Sequence, residues 1–293
     1  MISDYESVIK SAKDSPEFLA ISGSKLYGSS TPESDTDIRG FFIPPFSSLV
    51  GIPIKGIATD CIEFDGDHKV FALKRFLELV ISGDPQTSEL FFTPEDCIIH
   101  ITKVGRQILT LRDSIISKNI SRRILGFSNS EWRKAMGVKL SIPKRTKTED
   151  EVVEDIRNSF DLDKDSMDHV VDILFSNHKK EMVPSKSGIG LKKLSQFDKC
   201  GYGSSSACHA IRLLGQIEEL MLTGSMTFPR NNAEMLLSIK KGEVEKKEVE
   251  SIYKDTLSKA ENAIEKSVLR DKPDVLMVYE LYADIIKGRL VMC

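Results

Sequence analysis

The sequence is short of the features that mark secreted, membrane-bound or strongly basic proteins. Only five of its 293 residues are cysteine: Cys61, Cys97, Cys200, Cys208 and Cys293. The count is odd and no two form a Cys-x-x-Cys pair, so neither a disulfide framework nor a zinc knuckle is indicated, and reduced thiols are expected. No apolar run approaches the ~20 residues of a membrane helix. The first two dozen residues lack a basic patch followed by an apolar stretch, so no signal peptide is predicted and a cytoplasmic location is the expectation. Neither sign of charge dominates. With 41 basic and 44 acidic residues the net charge is −3, which excludes a basic nucleic-acid coat but allows a local basic groove.

What is present describes a globular chain. Apolar residues make up 40% and charged residues 29%, enough for one large core or two ordinary ones. Ser3, Tyr5, Val8 and Ile9 predict an initial helix. Phe18 to Ile21 is an apolar run stopped by Ser22-Gly23-Ser24, which reads as a buried strand. Residues 25–30 follow as a helical turn, and 37–43 as a second strand stopped by Pro44-Pro45. A third strand is expected at 69–71. Leu73, Phe76, Leu77 and Val80 then take helical spacing, and Gly83-Asp84-Pro85 ends that helix. Beyond Ile98 most segments look helical, notably 102–117, 208–222 and 243–268. The stretch 143–165 is dense in charge and reads as a mobile excursion or solvated helix–loop. The predicted class is therefore α+β: a small mixed sheet with flanking helices over residues 1–110, then a mainly helical domain over 111–293.

The chemistry concentrates in GSKLYGSSTPESDTDIRGFF, residues 23–42. Asp35 and Asp37 are two apart, and on a strand their carboxylates would share a face. Two like charges so close repel unless a cation lies between them. Mg²⁺, or Mn²⁺ in its stead, takes carboxylate and phosphate oxygens, so Asp-x-Asp suits a metal site beside a nucleotide. A two-metal site wants a third carboxylate, for which Glu63, Asp65 and Asp67 are candidates. Asp67 directly precedes the third strand and is the preferred choice, as metal ligand and as acceptor of a proton from an incoming hydroxyl. Gly23 lets backbone approach a phosphate, Ser24 adds a hydroxyl, and a helix starting there would point its positive end at the anion. Gly28 would allow close packing on the sheet. Arg39 shares the face of Asp37, and Lys25 and Tyr27 lie in the turn.

These motifs, Gly-Ser-x-x-x-Gly and Ser-Asp-x-Asp-x-Arg-Gly, resemble the DNA polymerase β superfamily of nucleotidyltransferases. Within it the chain is most similar to the RNA-repair-associated, RlaP-like branch. Residues 73–94 resemble that branch's helix and Gly-Asn-Pro turn, with Asp84 where Asn is usual. Residues 123–137 and 207–243 resemble its later helices. The resemblance implies Gly23 and Ser24 as phosphate contacts, Asp35, Asp37 and Asp67 as metal ligands, and His209 and Arg212 at the site, with Arg212 pairing to triphosphate oxygens. The implied reaction moves a nucleoside monophosphate from an NTP to a hydroxyl, with RNA or a tRNA 3′ end as acceptor. A protein hydroxyl, or nucleotide or RNA binding without turnover, are the alternatives. One departure stands out: the family's lysine four residues before the histidine is Ser205 here, with Lys192, Lys193 and Lys199 as substitutes. Arg122, Arg123, Arg133, Lys134, Lys139, Lys144, Arg145 and Lys147 surround Trp132, the only tryptophan, and offer an RNA-binding stretch.

Overall fold

In a computed structural model the protein is described at residues 16–32, 34–45, 49, 60–64, 68–137, 196–197 and 199–290. The predicted initial helix, the charged stretch 143–165, Asp65, Asp67, Lys192 and Lys193 lie outside these residues.

Five strands form one mixed sheet in the order β3-β4-β2-β1-β5. They are β1 (Phe18–Ser22), β2 (Asp37–Phe42), β3 (Cys61–Phe64), β4 (His68–Ala72) and β5 (Ile98–Ile101). β1 runs antiparallel to both β2 and β5, whereas β2 and β4 are parallel. The register sets Ser22 opposite Asp37, Ala20 opposite Arg39 and Phe18 opposite Phe41. Because side chains alternate along a strand, Asp37 and Arg39 share the face of Phe41. Leu19, Ile38, Phe42, Val70 and Ala72 form a smaller apolar cluster on the opposite face.

Helices cover the face of Phe18 and Phe41. After the short helix α1 (Gly23–Tyr27) come α2 (Leu73–Ile81), α3 (Pro85–Glu89), α4 (Lys103–Leu109), α5 (Arg112–Ile115) and α6 (Asn119–Ala135). The stripe expected on α2 is buried as Leu73, Phe76, Leu77 and Val80. Phe76 stacks between Phe41, at 4.6 Å between centroids, and Phe91, at 5.7 Å. These rings carry the sheet's core into the helical layer, burying large apolar surfaces in offset contact. α7 (Ser204–Thr223) is buried nearly all round and packs against α6, α8 (Ala233–Lys241) and α9 (Lys246–Glu265). A last helix, α10 (Val275–Leu290), closes the chain order. The buried cluster is continuous from Phe18 through Ile217 to Val278. No helix among the described residues is long and apolar enough to cross a membrane.

The α+β class is as expected, with several local differences. The helical turn expected at 25–30 starts earlier, at Gly23. The helix expected over 102–117 breaks into α4 and α5 around Thr110-Leu111, and Thr102 caps α4 by accepting from the Gly105 N–H. Asp84 does more than end α2. Its carboxylate accepts from the Thr87 N–H at 3.0 Å, capping α3 with Pro85 in the first turn. Asp and Asn are equivalent caps, so this departure from the family pattern carries no structural cost. Gly28 packs differently from the expectation. A side chain there would sit 2.9 Å from Pro229 Cβ and 3.0 Å from Ala233 Cβ, so its neighbours are the helical layer and not the sheet.

Candidate active site

The end of β1 and the start of β2 open onto a cavity of about 260 Å³. Ser22, Gly23, Ser24, Tyr27, Ser29, Asp37 and Arg39 line it from the N-terminal half, with Gln86 from α3. Ser205, Cys208, His209 and Arg212 of α7 and Lys240 of α8 line it from the C-terminal half. Residues more than 160 positions apart in sequence thus share one space, which the packing of α7 and α8 over the sheet creates.

Gly23 and Asp37 are the tightest pair. Gly23 has a φ of 67°, in the left-handed region, and a Cβ there would fall 1.7 Å from Asp37 Oδ2. Both the backbone conformation and the lack of space demand glycine. The Gly-Ser turn is therefore pressed onto the carboxylate, a contact within the protein in addition to the phosphate approach expected of Gly23. α1 spans only five residues, however, so it offers little of the helix macrodipole expected there. Ser24 is half-buried beside Gly23. Lys25 is exposed, is not among the cavity-lining residues, and its ammonium donates to Thr36.

Asp35 precedes β2 and is exposed; the cavity wall holds Asp37 but not Asp35. Glu63, one of the three candidates for a third carboxylate, is instead paired with Lys69 at 2.8 Å on the surface of the outer strands. The residue after Asp67, His68, accepts at Nδ1 from the Ile38 N–H at 3.1 Å, joining the start of β4 to the residue that follows Asp37. Among the described residues no three His, Cys, Asp or Glu side chains gather as a ready metal site. The donors at this end, one carboxylate and several hydroxyls, are hard oxygens of the kind Mg²⁺ prefers.

Below the cavity lies a buried ion pair that the sequence did not announce. Arg212 Nη1 donates to Glu89 Oε1 at 2.9 Å and to Gln216 Oε1 at 2.7 Å. Gln216 Nε2 donates to the same Glu89 oxygen at 3.0 Å, and Tyr27 O–H donates to Glu89 Oε2 at 2.6 Å. The Arg212 guanidinium also lies 3.8 Å over the Tyr27 ring. Arg212 and Glu89 are almost wholly buried, with side chains 3% and 2% exposed. Burial pushes the Tyr27 phenol well above its ordinary value, with Glu89 adding to the rise and Arg212 opposing it. Arg212 thus touches the cavity while already holding three protein partners, Glu89, Gln216 and the Tyr27 ring.

Beside this pair, His209 lines the cavity next to Arg212. Burial, aided by the Arg212 charge, pushes its imidazole down to about 3, against the opposing pull of Glu131. The ring is therefore neutral near pH 7. Glu131 is held below the usual carboxylate range: burial alone would raise it, but the hydrogen bond and charge of Lys134, at 2.5 Å, outweigh that. Cys208 is buried, and its thiol is pushed up to about 11 by burial. A thiol kept protonated is no nucleophile.

The remaining predicted contacts fall elsewhere. Ser205 is exposed on the cavity rim, where its hydroxyl accepts from Gln196 Nε2 at 2.8 Å. Lys199 donates to the Lys241 carbonyl at 2.6 Å and does not line the cavity. Trp132 is half-buried, with one ring face stacked on Tyr253 at 3.9 Å. Arg122, Arg123, Arg133 and Lys134 are exposed on α6. Lys240 lines the cavity, yet nothing near it in sequence pointed there.

A mixed sheet roofed by helices, with a Gly-Ser turn against an aspartate that opens the next strand, accords with the nucleotidyltransferase-like class of DNA polymerase β. The chain belongs to the RlaP family within it. The model of that family, described as the RNA repair pathway DNA polymerase beta family, matches residues 17–281. The chain is also similar to an uncharacterized 38.9 kDa protein of Enterobacteria phage T4, from the nrdC-mobD intergenic region. That similarity is 25% identity over 300 aligned positions, covering 82% of this chain and 87% of the phage protein. No solved structure matches the chain.

Proposed function

We propose that the protein transfers a nucleoside monophosphate from an NTP to a hydroxyl, with RNA or a tRNA 3′ end as the acceptor. The observation that carries this reading is the Gly23 backbone pressed onto the Asp37 carboxylate at one end of a cavity that also holds Arg39 and Lys240. Its acidic end suits a divalent cation, and its basic side chains suit phosphate.

In this reading Asp35, Asp37 and Asp67 hold Mg²⁺. The cation, when bound, lowers the barrier by neutralising charge on the phosphates and on the leaving pyrophosphate. Gly23 and Ser24 lie against the phosphates, and Arg39, on the strand face of Asp37, steadies them. The acceptor hydroxyl attacks the α-phosphorus, its proton passes to Asp67, and the bond to the bridging oxygen breaks to release pyrophosphate. Neutral His209 can donate one hydrogen bond without adding charge. Arg212 contributes by holding Tyr27 and α7 in place under the site. The enzyme's work in such a reaction is mainly positioning and charge stabilisation.

The family's place in RNA repair favours an RNA acceptor, as do the exposed arginines of α6. The test is incubation with each of four α-labelled NTPs, Mg²⁺ and a pool of small RNAs, resolved on a gel. Labelled RNA from the native protein, and none from Asp37→Asn of unchanged melting temperature, is the expected outcome. Label on protein instead of RNA overturns the acceptor. Full transfer by Asp37→Asn overturns the metal-dependent mechanism.

A further inference from the structure

α8 ends in two lysines that face different ways. Lys241 is exposed, and its carbonyl accepts from Lys199. Lys240 is half-buried and lines the cavity. Its position is fixed at both ends. The Lys240 carbonyl accepts from the Ser204 hydroxyl at 2.9 Å, at the first residue of α7. The ammonium donates to the Ser29 carbonyl at 3.0 Å, just beyond α1. A surface lysine is ordinarily a mobile charge on a flexible stem; this one is held by two elements.

An ammonium has three donors, and among the described residues the hydrogen bond of Lys240 Nζ is the one to Ser29. The charges of the cavity wall are also out of balance. Arg39, Arg212 and Lys240 stand against Asp37, and Glu89 beneath neutralises only Arg212. Among the described residues the surplus is one positive charge, which suits an anionic phosphate chain.

Position then selects which part of that anion. Gly23 and Asp37 stand at the start of α1, and Ser29 lies past its end. α1 has five residues, about 6–7 Å at ~1.5 Å per residue, so Lys240 meets the cavity at the other end of α1 from Gly23 and Asp37, where the outer part of a phosphate chain would lie. Resting on the proposed nucleotide site, we infer that Lys240 binds the outer phosphates of the nucleoside triphosphate and so selects triphosphates over monophosphates. It supplies from α8 a cation that Ser205, at the rim of the same cavity, does not.

Equilibrium binding of ATP, CTP, GTP and UTP, each with Mg²⁺, to the full chain is the test. The mono- and diphosphate of whichever binds tightest follow. Lys240→Gln keeps a donor for the Ser29 carbonyl and removes the charge; Lys240→Arg keeps the charge. A charge-assisted contact is worth about ten- to a hundredfold in affinity. The expected result is that loss for triphosphate with Lys240→Gln, a change of less than about threefold for monophosphate, and recovery of most of the triphosphate affinity with Lys240→Arg. Unchanged triphosphate binding by Lys240→Gln overturns the assignment alone. Parallel loss of both ligands makes Lys240 a structural prop and overturns it as well. If the native protein binds none of the four triphosphates, the proposed function falls together with it.

Discussion

Arg212 and Lys240 line the same cavity from neighbouring helices, yet they live in opposite electrostatic settings. Arg212 lies in a dry cluster where Glu89, Gln216 and Tyr27 meet it at hydrogen-bond or ring distance. Lys240 sits at the half-buried rim with a single backbone carbonyl as its described partner. A cation deep in low dielectric must be neutralised by the protein itself, because desolvation otherwise costs several kcal/mol. A cation at the rim keeps much of its hydration and can exchange water for ligand oxygens. The floor of this cavity is therefore organised for stability, and its rim for exchange.

The sharpest way to break that division is to attack the floor. Glu89→Ala leaves Arg212 buried without its carboxylate and Tyr27 without its acceptor. Destabilisation of about 3–5 kcal/mol is expected, read as a shift in urea midpoint at unchanged slope. Replacing the pair with apolar residues, Glu89→Leu with Arg212→Met, should cost less than Glu89→Ala alone, since no uncompensated charge remains. Equal or larger loss in the double variant would mean that the pair contributes through specific geometry, and the floor would then resemble the rim in function.

This buried pair also marks where sequence reading ends. β1 was legible because four apolar residues meet a glycine, and α2 because its stripe repeats at helical spacing. β3 and β5 were not, since Cys61–Phe64 and Ile98–Ile101 are four residues each and too short to display a period. Around the site, Gly23, Ser24, Asp37 and Arg39 belong to one local motif whose residue types state their chemistry. Glu89 follows the polar Gln86-Thr87-Ser88 and precedes the apolar Leu90-Phe91-Phe92, and nothing local marks it for burial. Lys240 is one of a lysine pair beside a glycine, as at the end of many solvated helices. Their roles depend on how α7 and α8 land on the sheet, and no local pattern encodes that landing.

Between floor and rim in expected size is the Gly23 contact. Gly23→Ala would place a methyl against Asp37 Oδ2 and hold alanine at positive φ. The cost is about 1–3 kcal/mol from the backbone conformation alone. Displacement of Asp37 should also lower nucleotide transfer at least about a hundredfold, because small misplacements of reacting groups have that effect. Ser24→Ala, one residue on, leaves the backbone alone and serves as the contrast, with a melting temperature close to native. Transfer by Gly23→Ala that falls only as far as its stability predicts would show that the Gly23–Asp37 contact is structural.

The smallest effect tests whether His209 belongs to the floor or the rim. Its imidazole is depressed from the ordinary 6.5 to about 3, by burial first and Arg212 second. A group with a lowered folded value binds fewer protons folded than unfolded in the window between the two. Stability from keeping it neutral is complete above pH 6.5 and is lost as the pH falls from 6.5 toward 3. Partial exposure reduces the size, and about 1 kcal/mol at pH 5 is expected, or a fall of about 2–4 °C in melting temperature. His209→Gln cannot titrate and should flatten that segment of the melting-temperature profile. Glu131, also held low, shares the sign but acts at lower pH, so the part of the slope between pH 6.5 and 5 that His209→Gln removes is the histidine's own. A slope that survives in His209→Gln would show that His209 is solvated like Lys240, and the boundary between floor and rim would then run between it and Arg212, three residues along the same helix.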